Sequence, residues 1–252
     1  MVVVAAAIGG TAFALTRSDD KPKYSLNATN DATEGATSMS FALTMDVFGT
    51  ELTGDFEIDI EHGLTHVTMD LGSSAVGLGG KLEMIVDMPN HTTYVSRDFF
   101  ESIGVPIDTD WVRMDSEFLD ESGDGSVFDA SATGDPLDAT AAIGEALKTE
   151  DLGFAKVDGI KVKRYRVTFR GEDVFAFNPQ FTAILEEAGT DVPDEVVYEF
   201  YVDEQNVVRR ISYQVDLGTS ELTGDMIVKS INEPVNIKIP DEADVTDARD
   251  LM

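Results

Sequence analysis

At 252 residues with 42% apolar content, the chain can bury the core of one large domain or of two small ones. Its 48 acidic against 18 basic residues give a net charge of −30, which excludes nucleic acid as a partner and argues against passive adsorption to anionic membranes. Cysteine is absent, and with it any disulfide framework, thiol nucleophile or lipid-acceptor thiol.

Residues 2–16, VVVAAAIGGTAFALT, carry no charge and are followed by Arg17, Asp19, Asp20, Lys21 and Lys23. Fifteen residues is short for a spanning helix and fits the apolar part of a secretory signal, with Ala12-Phe13-Ala14 as a small-residue cleavage site. The expectation is a signal peptide or membrane anchor over 1–17, a linker over 18–37, a folded domain over 38–245 and a tail over 246–252. A signal or anchor implies export. A buried element of the domain is the bland alternative for the first segment.

From Met39 onward, residues alternate with the period of two that marks strands with one apolar face. Met39, Phe41, Leu43, Met45 and Val47 share a face, then Leu52, Phe56, Ile58 and Ile60, then Val67, Met69 and Leu71. A Gly-rich connection over 72–80 precedes Leu82, Met84, Val86 and Met88, a turn at Pro89-Asn90, and short strands at Thr92–Ser96 and Trp111–Asp115. Asp135 and Pro136 cap a helix predicted over Asp135–Lys148. A hairpin follows, Phe154–Val157 and Ile160–Arg170 about Asp158-Gly159, and then a loop and a second helix, Pro179–Ala188. The clearest pattern is Val196–Pro240, an antiparallel meander of three strands and a short fourth, in which Val207, Arg209, Ile211, Tyr213 and Val215 share one face. Glu-Leu-Thr-Gly-Asp occurs at 51–55 and again at 221–225, one hairpin solution used twice.

This order resembles the exported lipoproteins of the LppX/LprG type and, more widely, the LolA-like lipoprotein-carrier half-barrels. The likeness spans about residues 38 to 245. It rests on the long meander, the loop with Trp111, Asp135-Pro136 opening a helix, GFAKVDGIKVKRY at 153–165, the YEFYVDEQNVVRR hairpin at 198–210 and NEPVNIKIP after it. The resemblance implies a mainly β (α+β) fold: a curved antiparallel half-barrel sheet, with about two helices on its concave face around an apolar cavity for acyl chains. Members of the actinobacterial branch usually carry a lipidated Cys after the signal. This chain has none, which favours an uncleaved anchor or a released protein.

Candidate chemistry is sparse. His62 and His66 are four apart, but Gly63 and the strand pattern place them on a turn and a strand rather than on one helix face. Asp120, Glu121, Asp124 and Asp129 lack the spacing of a calcium loop. No G-x-S-x-G motif occurs, and no Ser pairs recognisably with a His. Arg164, Arg166 and Arg170 share a wet strand face, where they neutralise carboxylates across the sheet or meet a phosphate headgroup. Seven inward or near-inward methionines suit either ordinary core filling or a surface that repacks around apolar ligands. The expectation is therefore an envelope protein, not an enzyme, with no cofactor or metal. It holds a lipid or other apolar molecule between sheet and helices, lined by Phe41, Leu43, Met45, Phe56, Ile58, Met84, Val86, Phe177 and Phe181. An envelope interaction or sensor domain with a filled core is the alternative.

Overall fold

The computed structural model describes residues 22–29, 32, 35–47, 49–71, 80–118, 143, 146–176, 191–217 and 221–251. Residues 1–17, the helices predicted over most of Asp135–Lys148 and over Pro179–Ala188, the acidic group Asp120–Asp129, and Phe177 and Phe181 lie outside them.

Eleven strands form two antiparallel meanders. The first runs β1 (Ser38–Val47), β2 (Thr50–Asp59), β3 (Leu64–Asp70), β4 (Lys81–Asp87), β5 (Thr92–Ser96) and β6 (Trp111–Asp115). The second runs β7 (Lys148–Val157), β8 (Ile160–Arg170), β9 (Glu195–Asp203), β10 (Val208–Asp216) and β11 (Glu221–Ile231). A short β12 (Val245–Asp247) pairs in parallel with β6, giving one curved, unclosed sheet in the order β12-β6-β5-β4-β3-β2-β1-β11-β10-β9-β8-β7. The two meanders meet only at β1 and β11, paired from Met39 opposite Ile231 to Val47 opposite Leu222.

One face of this sheet is the core face. Its cross-strand rows are continuous: Val228, Phe41, Phe56, Val67, Met84, Val95 and Val112 stand side by side on seven neighbouring strands, all buried. Phe41 and Phe56 stack with ring centroids 4.6 Å apart. Two short helices close over the same face. Helix α1 (Arg97–Ser102) inserts Phe99 into the main cluster, and α2 (Gly171–Ala176) adds Phe175 to a smaller one with Val196, Val215, Leu217 and Leu222. Leu26, in a 3-10 turn at Leu26–Ala28, also enters the main core, and Ala248 seals the other edge.

Several local expectations are corrected. Lys148 opens β7 rather than ending a helix, and β7 starts six residues before the predicted Phe154. KTEDLG lacks an apolar alternation because β7 is the exposed edge strand, with no core of its own to declare. Val174 and Phe175, placed in a loop by the sequence, are helical. The short fourth strand of the C-terminal meander is absent, since residues 234–241 join no ladder. Met88 sits in the β4–β5 turn and is exposed.

The strict alternation through Arg209 also fails, for a clear reason. A β-bulge shifts register between Val208 and Arg210, so Val208 and Ile211 both face the core while Arg209 is the extra residue. Its Nε donates to Asp203 Oδ2 at 2.7 Å. Asp203 Oδ1 accepts the N–H groups of Gln205 (2.8 Å) and Val207 (3.0 Å), holding the turn in which Asn206 takes a φ of +67°. Asn206 Oδ1 in turn accepts the Ser25 N–H at 2.7 Å. Buried Asp203 thus organises the hairpin and, through it, the N-terminal turn. Asp203→Ala is expected to cost about 2–3 kcal/mol in urea unfolding, since a buried N–H and a guanidinium lose their acceptor, and Asp203→Asn is expected to cost less.

Candidate functional site

The seven described residues expected to line the cavity come together on the core face, across β1, β2 and β4. Ile58 and Val86 lie on one cross-strand row with Met39, and Phe41, Phe56 and Met84 on the next. Leu43 stands on a third row and Met45 on a fourth. Burial is uneven across these rows: Ile58 is partly exposed, and Leu82 and Met226 on the Leu43 row are buried. Phe41, Phe56 and Met84 are 3%, 5% and 2% exposed, whereas Leu43 and Met45 are partly exposed, as are their neighbours Leu52 and Met69.

Two glycines shape that more open end, and sequence reasoning passed over both. Gly54 on β2 is opposite Leu43 and Met69; Gly224 on β11 is opposite Met45 and Tyr213. They are the same residue of the repeated Glu-Leu-Thr-Gly-Asp, which the fold sets on either side of β1 with both glycines on the core face. A Cβ at Gly224 would lie 2.2 Å from Tyr213 Cζ, so the phenol ring lies directly over the bare strand. At Gly54 a Cβ would come within 3.0 Å of Met69 Cγ and 3.1 Å of the Thr68 carbonyl oxygen. The repeat itself was the available signal: a glycine inside a strand marks a close approach.

Tyr198 and Tyr213 border this glycine-floored patch, their ring centroids 5.4 Å apart, with Phe169 edge-on and Phe200 stacked against Tyr198. Neither hydroxyl has a hydrogen-bond partner among the described residues. Burial pushes the Tyr213 phenol up to about 12, and burial, then the neighbouring Tyr213, raises Tyr198 further. Both stay neutral donors at any ordinary pH. Among the described residues the patch therefore offers apolar carbon and two hydroxyls but no charge.

The outer face is the opposite in character. Arg164 Nη2 and Arg166 Nη2 donate to the two oxygens of Glu199 at 3.1 and 2.8 Å, and Tyr201 Oη donates to Oε2 at 3.1 Å. Burial pushes the Glu199 carboxyl up, but these three hydrogen bonds outweigh it and hold the group below the usual carboxylate range. Arg170 pairs with Asp173 at 2.8 Å. All three arginines thus neutralise carboxylates, as the sequence led us to expect. His62 binds Asp59 (2.9 Å), and His66 lies between Glu83 (3.0 Å) and Glu57 (3.6 Å), so each imidazole has its own acidic partners. His62 borders a hollow of about 280 Å³ that Thr37, Asp59, Glu61 and Asn232 make largely polar.

No protein-family model and no curated protein matches the chain. Solved structures do. The lipoprotein LppX of Mycobacterium tuberculosis aligns over 84% of this chain and 98% of its own, at 16% identity and a TM-score of 0.52. LprF of Mycobacterium bovis aligns over 85% and 94%, at 15% identity and a TM-score of 0.56. At such identity the likeness shows the fold alone: the curved, unclosed antiparallel sheet is the one seen in LppX and LprF, the fold the sequence order led us to expect.

Two outcomes test this geometry. Gly224→Ala should cost about 1–3 kcal/mol by displacing the Tyr213 ring, and most of that cost should vanish in a Tyr213→Ala background, read as a double-mutant cycle. The raised phenol pKa values favour the protonated folded state. Their contribution is whole below pH 10 and is lost as pH rises from 10 through 12, because unfolded tyrosine ionises first. Urea midpoints measured between pH 9 and 12 should fall, and fall less in Tyr198→Phe/Tyr213→Phe.

Proposed function

We propose that this half-barrel belongs to the cell envelope, tethered or released after export by residues 1–17, and that it holds a lipid or another apolar molecule without covalent chemistry. The ligand lies against the glycine-floored end of the core face. Leu43, Met45, Leu52 and Met69 supply deformable contact there, and Tyr198 and Tyr213 supply the only polar atoms we assign to the site. One observation carries this reading: beyond the shut Phe41–Met84 row, Leu43, Met45, Leu52 and Met69 stay partly exposed beside two glycine positions, while Leu82, Leu222 and Met226 around them are buried. The fold shared with two mycobacterial structures, one of them a named lipoprotein, supports it. Phe177 and Phe181 remain proposed as parts of the opposite wall. At about 25 cal/mol per Å², covering a few hundred Å² of acyl chain yields several kcal/mol, enough for reversible capture.

The filled-core alternative, an envelope interaction or sensor domain, draws on the continuous buried row itself. A paired substitution separates the two. Met84→Trp should overpack the shut row and cost about 1–3 kcal/mol. Met45→Trp should cost less than about 1 kcal/mol yet reduce uptake of a fluorescent fatty acid. If the parent protein takes up none, and organic extracts of the purified chain contain no lipid by mass spectrometry, the carrier reading falls and the interaction domain stands.

A further inference from the structure

The net charge of −30 conceals a local reversal. Residues 154–166, FAKVDGIKVKRYR, hold five of the 18 lysines and arginines and one of the 48 acidic residues. They form the hairpin of β7 and β8 at the open edge of the sheet. Two large apolar side chains are exposed on it, Phe154 at 57% and Ile160 at 41%. Lys163 pairs with Asp151 at 2.7 Å, and Arg164 and Arg166 share the single carboxylate of Glu199. Lys156 has no ion pair among the described residues, and Lys161 has only rings beneath it, 4.0 Å from the Phe154 centroid and 5.6 Å from that of Tyr24. Asp158, in the turn, is the one opposing charge at the tip. After pairing, the hairpin remains cationic.

The chain leaves the domain at this same place. The Tyr24 ring packs edge-on against Phe154 at 5.2 Å, and its carbonyl accepts the Tyr165 hydroxyl at 2.6 Å. From residue 22 back to the apolar run ending at Thr16 there are six residue steps, a reach of at most about 20 Å. A bilayer holding that run therefore lies within about 20 Å of the hairpin.

We propose that the β7–β8 hairpin is a docking surface for an anionic bilayer. Phe154 and Ile160 enter the interface, Lys156 and Lys161 meet the headgroup phosphates, and the acidic remainder of the domain points away. This rests on the anchor reading above, and it supplies what a tether alone does not, a fixed orientation.

The absence of cysteine makes the test direct. The full chain carrying Ile160→Cys, labelled with an environment-sensitive dye, is reconstituted with phosphatidylglycerol or phosphatidylcholine vesicles, and Met88→Cys in the β4–β5 turn serves as a second reporter. The chain should float with both vesicle types. The label at 160 should shift to the blue with phosphatidylglycerol alone and lose that shift in high salt, while the label at 88 should not respond. Lys156→Gln/Lys161→Gln should abolish the shift without detaching the chain, each lysine near an anionic surface being worth about fivefold in partition. Flotation with no lipid-dependent shift at 160, or an equal shift at 88, overturns the docking surface and leaves the anchor intact. Failure to float with either vesicle overturns both.

Discussion

A twelve-strand sheet keeps one apolar face only if every strand stays in phase with its neighbours, because a slip of one residue turns an entire strand inside out. The register here holds over long ladders and is corrected where it drifts. In β10 the extra residue is Arg209, which leaves Val208 and Ile211 both on the core. In β11 the shift opposite Ser40 and Phe41 makes Lys229 the extra residue, which keeps Val228 and Ile231 on the core side. These two bulges each place a basic side chain at the irregularity and pair it with a carboxylate, Asp203 for Arg209 and Asp55 for Lys229. In β7 the shift falls between Asp151 and Gly153, whose φ is +81°. The core rows and the patch over Gly54 and Gly224 all depend on these corrections.

Strands with a buried face declared themselves in the sequence. β5, β6 and β8 have the expected ends, and β1, β2, β9, β10 and β11 agree closely, because alternation records a one-sided environment. Elements without such a record were missed. The edge strand β7 is wet along half its length, β12 has only three residues, and the six-residue α1 carries adjacent phenylalanines that read as a loop. Bulges left no trace, since a phase slip looks like noise in a periodic pattern. For the site, the inward direction of Phe41, Phe56, Met84 and Val86 was legible, but which of them other elements would cover was not. The close seating of Tyr213 and Met69 beside Leu43 and Met45 depends on what two glycines omit, and a missing side chain has no hydropathy to read.

Net charge misled in a comparable way. A total of −30 describes the field far from the molecule, but contact is decided within a Debye length of about 8 Å in physiological salt. At that range the β7–β8 hairpin and the outer-face arginines are a different surface from the rest of the chain. The same separation holds across the sheet. Among the described residues the core face near Tyr198 and Tyr213 is free of charge, and a few ångströms away on the outer face Arg164, Arg166, Arg210, Glu199 and Asp225 form a paired lattice.

The meeting of β1 with β11 has a consequence for how the molecule is made. Every other antiparallel ladder joins strands adjacent in sequence, so each can form soon after its second strand leaves the ribosome. β1 must wait for residues 221–231, some 180 residues of further synthesis. Until then its free edge stays unpaired and the apolar rows end at Phe41 and Leu43. The sheet is thus left unfinished until nearly the whole chain exists, and loop closure over that distance delays its completion. A chain that must cross a membrane before it folds would find its delay built into the order of its strands.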